Sequence, residues 1–135
     1  MNVSNWRFHH VGIATTSIES FANRLNELSS NSVGSFEDPL QGVRGLFIEI
    51  GNINLEILEP LDGDATLMPW LTVGNRMYQI AFEVDDLNEE LATARENKIR
   101  IVREAHPAVA FDGRRVAFMM PAPGILIELI ESPAN

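Results

Sequence analysis

The sequence predicts an α+β domain made of two similar halves, each consisting of a strand, a helix and three further strands. Apolar motifs near the N-terminus recur about 70 residues later. In each copy, apolar residues first recur at every second position, then at helical spacing, and then at every second position again. The chain has 135 residues, 45% of them hydrophobic, which is enough for one packed core. Because two copies are too few for a solenoid, we expect them to build one domain around a shared cavity.

The repeated motifs define the boundaries of two modules. Residues 9–14 correspond to residues 78–83, and residues 56–59 correspond to residues 128–131. We therefore expect a single domain over residues 1–135, with module 1 at about 8–59, a linker at 60–75 and module 2 at about 77–131.

Module 1 begins with a strand at residues 8–14. Ser17 is a good helix N-cap, and the apolar residues behind it have helical spacing. Glycines and an asparagine then separate the remaining strands, which we expect at residues 33–38, 45–50 and 54–59.

Module 2 repeats this order, starting with a strand at residues 77–84. Asp86, followed by Glu89 three residues later, predicts a helix that ends at about Asn97. The remaining strands are expected at residues 99–103, 114–120 and 125–130. Within the linker, residues 65–70 have the character of a short helix.

Composition excludes several classes of partner and site. A net charge of −9 opposes binding to nucleic acid, and the absence of cysteine excludes disulfides and thiolate metal sites. No apolar run is long enough for a membrane span, and the N-terminus has no signal-peptide pattern. We therefore expect a cytoplasmic protein with no membrane or nucleic-acid partner.

Four polar residues interrupt the apolar strands at matched positions of the two modules. Strand alternation places His10 on one face with Gly12 and Ala14, and Gln79 on the equivalent face with Ala81. Glu56 and Glu128 lie in the middle of apolar strands. A buried, isolated carboxylate costs several kcal/mol, so each glutamate needs a cation, a metal or water.

Two interpretations of these four residues remain open. One histidine, one glutamine and two glutamates are a suitable ligand set for a hard or borderline divalent ion. Alternatively, the glutamates form hydrogen bonds inside a wet pocket and His10 is an ordinary interior histidine.

The organisation and several stretches of the chain resemble the vicinal oxygen chelate superfamily, which includes glyoxalases, bleomycin-resistance proteins, ring-cleaving dioxygenases and methylmalonyl-CoA epimerase. The stretches that carry the resemblance, most of all to the epimerase branch, are residues 9–14, 41–43, 55–61, 80–86 and 124–129. The resemblance implies two paired βαβββ modules that form a half-open, eight-stranded, barrel-like cup.

The same resemblance implies a metal site and a type of chemistry. Its metal ligands correspond to His10, Glu56, Gln79 and Glu128, and its ion would belong to the cobalt, nickel, zinc or magnesium class. Gln79 stands where most metal-dependent members have a second histidine. Near residues 41–43, where an epimerase would have a second base, this chain has Leu40 and Gly45.

Three functional classes follow. The first is a metal-dependent lyase or isomerase, epimerase-like or glyoxalase-like, in which Glu128 or Glu56 removes a proton next to the carbonyl of a small carbonyl or acyl-thioester substrate. The second is a metal-free binding or sequestering protein of the bleomycin-resistance type, with a cup lined by Trp70, Tyr78, Phe111 and Met119. The third is an iron-dependent oxygenase, which Gln79 disfavours. We also expect a homodimer.

Other polar residues have weaker claims to a functional role. Arg76, Arg114 and Arg115 could bind a substrate carboxylate or phosphate, although strand-end arginines are more often solvated. Glu83 shares the face of Gln79 and is a reserve ligand or base. We expect His9 to face the helix and His106 to lie in a loop.

Overall fold

A computed structural model of the protein describes residues 1–28, 31–72 and 74–133, apart from the side chain of Asn31. Within these ranges the chain forms eight strands and two α-helices. The elements in chain order are β1 (Arg7–Ala14), α1 (Ile18–Leu25), β2 (Asn31–Asp38), β3 (Val43–Ile50), β4 (Ile53–Pro60), β5 (Arg76–Val84), α2 (Leu87–Glu96), β6 (Arg100–Pro107), β7 (Arg115–Ala122) and β8 (Ile125–Glu131). The predicted α+β class with two βαβββ modules is confirmed.

The chain divides into two compact units. The first unit is His10–Tyr78, and the second consists of Met1–His9 together with Gln79–Asn135. The predicted single domain over residues 1–135 stays a prediction. Among the described residues, no helix is both long enough and apolar enough to cross a membrane.

The first unit contains strands in the order β2-β3-β4-β1. Strands β2, β3 and β4 are antiparallel neighbours, and β1 runs parallel to β4. Helix α1 starts at Ser17, whose side chain accepts a hydrogen bond from the backbone N–H of Ser20 at 3.1 Å. This is the predicted N-cap, and it satisfies one of the donors that a helix start leaves unpaired.

The second unit contains strands in the order β5-β8-β7-β6, so it repeats the topology of the first. Strand β8 is parallel to β5 and antiparallel to β7. Helix α2 begins at Asp86, as predicted, and buries Leu87, Leu91 and Ala94. These side chains form a core with residues of β5, β7 and β8, namely Val84, Ala117, Met119 and Leu129.

Two elements differ from the sequence prediction. Strand β6 continues to Pro107 instead of ending near residue 103, so the prediction that His106 lies in a loop is wrong. In β6 Val102 is exposed and Arg103 is half-buried, so the strand lacks the apolar alternation by which strands are recognised. Register shifts also interrupt its pairing with β7. In the linker, the helical segment is a single 3₁₀ turn over Met68–Trp70 instead of residues 65–70.

Candidate metal centre

The first unit brings two of the predicted ligands together. His10 is in β1 and Glu56 is in β4, and the parallel register aligns Glu56 with Gly12, two residues beyond His10. Both side chains are buried, with 0% and 4% relative exposure. Nε2 of His10 lies 3.4 Å from Oε1 of Glu56. The buried carboxylate therefore has the cationic or metal-ligating neighbour that its burial requires.

This spacing suits two ligands of one ion. Two donor atoms about 2.1 Å from a divalent ion lie about 3.0 to 3.4 Å apart when their bonds to it form octahedral or tetrahedral angles. The His10–Glu56 separation is at the upper end of this range. An imidazole and a carboxylate are also the donor types that borderline divalent ions prefer, so the residues present fit such an ion.

Aromatic packing limits the orientations available to the imidazole. The ring of His10 meets the ring of Phe47 edge-on, with centroids 5.8 Å apart and planes at 82°. Phe47 is also the β3 residue paired with Glu56. One side chain therefore supports both members of the pair. The sequence analysis did not single out Phe47, although it belongs to a repeated motif.

The second unit places the other two predicted ligands on one face. The parallel register pairs Glu128 of β8 with Ala81 of β5, two residues beyond Gln79. Both polar side chains are buried, with 5% exposure for Gln79 and 2% for Glu128. A residue two positions along a strand shares the same face, so the amide and the carboxylate point to the same side of the sheet.

The two pairs have the same internal geometry. In each unit the glutamate is paired with a small residue of the parallel strand, Gly12 or Ala81, and with a phenylalanine of the antiparallel strand. Phe47 and Phe118 are these phenylalanines. His10 and Gln79 each lie two residues before the small one. The predicted equivalence of His10 and Gln79 within their modules agrees with this register.

Glu83 forms ion pairs with two arginines. Its carboxylate accepts hydrogen bonds from Arg114 at 2.9 Å and from Arg7 at 3.2 Å. The hydrogen bond from Arg114, followed by that from Arg7, lowers the pKa of Glu83. A carboxylate held ionised by two guanidinium groups is a weak base, so the geometry disfavours the reserve role in proton transfer.

Two of the three arginines considered for substrate binding form ion pairs with glutamates of the protein. Arg114 is bound to Glu83, and Arg115 makes a two-pronged contact with Glu131 at 2.7 and 3.1 Å. The hydrogen bond from Arg115 lowers the pKa of Glu131. These two guanidinium groups have structural partners, whereas Arg76 is an exposed residue at the start of β5.

The remaining candidates have contacts of their own. His9 packs edge-on against Phe111, with ring centroids 5.2 Å apart. Nδ1 of His106 donates to the carbonyl oxygen of Glu104 at 2.9 Å. Met119, predicted to line the cup, is instead buried in the core beside helix α2. Trp70 packs against Tyr78 with ring centroids 5.5 Å apart.

The repeated βαβββ topology and the two pairs of buried polar residues are features that the chain shares with a known class of protein. A family model described as the glyoxalase/bleomycin resistance protein/dioxygenase superfamily matches residues 9–118. The chain belongs to this superfamily, which confirms the resemblance inferred from the sequence.

Within the superfamily, the chain is similar to methylmalonyl-CoA epimerases. It is 30% identical over 128 residues to the mitochondrial methylmalonyl-CoA epimerase of Bos taurus, covering 91% of this chain and 73% of that protein. The epimerase structure from Mycobacterium tuberculosis is 28% identical, with a TM-score of 0.82 and coverage of 96% and 89%. A variant epimerase of Streptomyces coelicolor, solved with 2-nitronate-propionyl-CoA, is 26% identical, with a TM-score of 0.80 and coverage of 95% and 98%.

Proposed function

We propose that this protein is a metal-dependent isomerase or lyase that removes a proton next to the carbonyl of an acyl thioester. The observation that carries the proposal is the buried His10–Glu56 pair, whose 3.4 Å separation suits two ligands of one divalent ion. The similarity to methylmalonyl-CoA epimerases supports an acyl-CoA as the substrate class.

In this proposal, His10, Glu56, Gln79 and Glu128 together hold the ion. A bound divalent cation would supply Lewis acidity at the carbonyl oxygen of the substrate. The donor set of one imidazole, two carboxylates and one amide suits cobalt, nickel, zinc or magnesium. Gln79 contributes a neutral amide oxygen, so we expect weaker binding than in a site with two imidazoles.

We assign the proton transfer to Glu128. The resemblance to the epimerases supports Glu128 as the base, and Glu56 is the alternative. Glu128 would take the proton from the carbon next to the carbonyl, and the electron pair of the broken C–H bond would move towards the carbonyl oxygen. In an isomerase a proton is then delivered back to the substrate on the opposite face of the same carbon, or at the neighbouring carbon. Exclusion of water around the buried carboxylate strengthens these interactions.

The test combines metal analysis with hydrogen exchange. Protein purified without chelators is analysed for metals and titrated with cobalt, nickel, zinc and magnesium. Methylmalonyl-CoA is then incubated with the loaded protein in D₂O, and deuterium incorporation is followed by mass spectrometry. We expect stoichiometric metal and metal-dependent exchange. Glu128→Gln should slow exchange by about 100-fold or more, the usual contribution of a general base.

The control for this experiment is Glu49→Gln, which changes an exposed carboxylate in β3. It should bind metal and exchange deuterium like the wild type. A loaded protein that leaves methylmalonyl-CoA unlabelled would contradict the proposed reaction.

A metal-free binding protein of the bleomycin-resistance type is the second candidate, and the same pair favours it. If His10 is protonated, its charge neutralises Glu56 at 3.4 Å without any metal. Gln79 then serves as a hydrogen-bond donor and acceptor for an organic ligand. The absence of binding with every one of the four metals at millimolar concentration would select this function.

A further inference from the structure

An aromatic wall lies beside the His10–Glu56 pair in the first unit. The antiparallel registers place Phe36 of β2 opposite Gly45 of β3, and Gly45 opposite Leu58 of β4. Phe47 and Glu56 are the next pair on the same face, because Phe47 is two residues from Gly45 in β3 and Glu56 is two residues from Leu58 in β4. The face that carries the candidate ligands therefore also carries Phe36 of β2 and Phe47 of β3.

Gly45 allows Phe36 to occupy this position. A Cβ atom added at Gly45 would lie well inside van der Waals contact of Cζ and Cε1 of Phe36, and 2.9 Å from Cδ2 of Leu58. The ring of Phe36 thus covers the bare backbone of Gly45. It also packs on Phe47, with centroids 5.7 Å apart. Phe47 in turn contacts His10, so three rings form a continuous row that ends at the candidate ligand.

The outer part of this row is open to solvent. Leu58 is buried, whereas Phe36 and Phe47 are only half-buried. Two half-buried rings next to a buried imidazole and carboxylate can contact a molecule bound at those groups. Aromatic side chains in such places determine the shape of a binding pocket, because their bulky rings are fixed by packing and have few rotamers.

We propose that Phe36, seated on Gly45, limits the size of the apolar substituent that the substrate carries on the carbon next to its carbonyl. This inference rests on the proposed function, because it assumes an acyl thioester bound at His10 and Glu56. A short substituent fits against the ring of Phe36. A longer one collides with it, since the backbone of Gly45 and the side chain of Leu58 prevent the ring from retreating into the sheet.

The test compares methylmalonyl-CoA, ethylmalonyl-CoA and butylmalonyl-CoA with the wild type, Phe36→Ala and Phe36→Leu. Calorimetry gives the dissociation constant of each thioester, and deuterium exchange gives its kcat/KM. Phe36→Ala should raise the butyl-to-methyl ratio of kcat/KM by about tenfold or more, because one methylene in an apolar pocket changes discrimination by roughly 10- to 200-fold. Phe36→Leu keeps most of the apolar volume and should give a smaller increase.

Val33→Ala is the matched control. Val33 is on the same strand and is 62% exposed, so its truncation should leave the ratio unchanged. Thermal unfolding shows whether each variant is folded. If Phe36→Ala does not fold, Phe36→Leu still provides the test.

The outcomes separate this inference from the proposed function. A wild type that neither binds nor labels any of the three thioesters overturns the proposed function, and this inference with it. A wild type that binds them, with a butyl-to-methyl ratio that changes less than twofold in folded Phe36 variants, overturns only the role of Phe36.

Discussion

At the scale of single residues, the environment of a carboxylate decides whether it is a structural or a functional group. Glu83 and Glu56 are both partly or fully buried glutamates in strands. Glu83 is held by two arginines. Glu56 is next to an imidazole, which can ligate a metal or carry a proton. This difference separates the candidate site from the surrounding ion pairs.

Gln79 is the candidate ligand with the weakest donor, a neutral amide oxygen. Imidazole is a better donor than a neutral amide oxygen for a borderline ion. We expect Gln79→His to raise the affinity for cobalt, nickel or zinc by about tenfold or more, since even changes outside the direct ligands alter metal affinity 10- to 100-fold. Calorimetric titration measures the change.

Glu128→Ala is the opposite variant in this series and should weaken binding, because it removes a charged donor. If the wild type and both variants have the same metal affinity, the assignment of four ligands is wrong. The proton transfer assigned to Glu128 would then lose its basis.

Strand alternation identified the four candidate ligands because each polar residue interrupts a clear apolar period. It could not identify the partners of Glu83. Arg7 lies 76 residues away in the chain, and its contact with Glu83 depends on tertiary packing. The repeated phenylalanines, Phe47 and Phe118, could have been found from the sequence by asking which residues recur beside the glutamates.

At the scale of elements, the helices followed the sequence most closely because their start signals are local. A capping side chain acts within three residues, so Ser17 and Asp86 identified both helix starts without tertiary information. The helices differ in packing. Helix α2 has three buried residues, whereas every residue of α1 is at least partly exposed.

Removal of the cap of α2 should therefore affect the whole second unit. The side chain of Asp86 accepts from the backbone N–H of Glu89 at 3.0 Å. Asp86→Ala should lower the free energy of unfolding by about 1 kcal/mol, as for other N-caps. Urea unfolding followed by circular dichroism measures this loss. Asp86→Asn keeps a capping oxygen and should retain most of the stability; an equal loss in both variants would implicate the charge instead.

The C-terminal end of α2 offers a stabilising change. Lys98 has φ of 59°, in the left-handed region that favours glycine, and its N–H bonds to the carbonyl oxygen of Arg95 at 3.0 Å. Lys98→Gly should raise the free energy of unfolding by about 0.5 to 1 kcal/mol, because it relieves the steric cost of a Cβ there.

Lys98→Ala is the control for this change, since it removes the charge and keeps the Cβ. We expect no gain from alanine. If alanine stabilises as much as glycine in the same urea titration, backbone strain at this position is not the cause.

Strand β6 shows why some elements are hard to recognise in a sequence. Its pairing with β7 shifts register between Ile101 and Arg103 and again before His106. Exposed and half-buried residues alternate from Arg100 to Ala105, but Val102 is exposed and Arg103 is half-buried, so apolar residues do not mark the inward positions. The β6–β7 pairing extends the strand to Pro107, and this pairing cannot be read from residues 100–107 alone.

At the scale of the whole molecule, duplication repeats ion pairs as well as motifs. Arg44 lies 3.5 Å from Glu59 in module 1, and Arg115 lies 2.7 Å from Glu131 in module 2. Each arginine belongs to the third strand of its module and each glutamate to the fourth.

The predicted homodimer stays a prediction, which sedimentation equilibrium would test.

The ion pairs of the second unit should make stability depend on acid. Hydrogen bonds from Arg114 to Glu83 and from Arg115 to Glu131 lower the pKa values of both glutamates below their usual range. A lowered folded-state pKa stabilises the protein above the unfolded-state pKa of about 4.3, and this stabilisation disappears as pH falls through the folded-state value. We expect the free energy of unfolding to fall between about pH 5 and pH 3.

The variant Glu83→Gln tests this pH dependence. It should be less stable than the wild type at pH 7 by about 1 kcal/mol, as is usual for partly exposed pairs, and should lose less stability on acidification. Urea titrations at pH 7 and pH 3.5 measure both quantities. Glu49→Gln serves as the exposed control, and identical acid sensitivity of Glu83→Gln and the wild type would contradict the role of these pairs.

The contact between Phe36 and Gly45 also imposes an order on sequence change during evolution. Any side chain gained at position 45 meets the ring of Phe36, so that substitution alone destabilises the sheet. A smaller residue at position 36 removes the larger obstacle, and the remaining contact, 2.9 Å from Cδ2 of Leu58, requires only that the end of a flexible side chain shift. Descendants of this sequence can therefore acquire a side chain at position 45 only after the residue at position 36 has become smaller. The two positions are epistatic, and their substitutions must occur in this order.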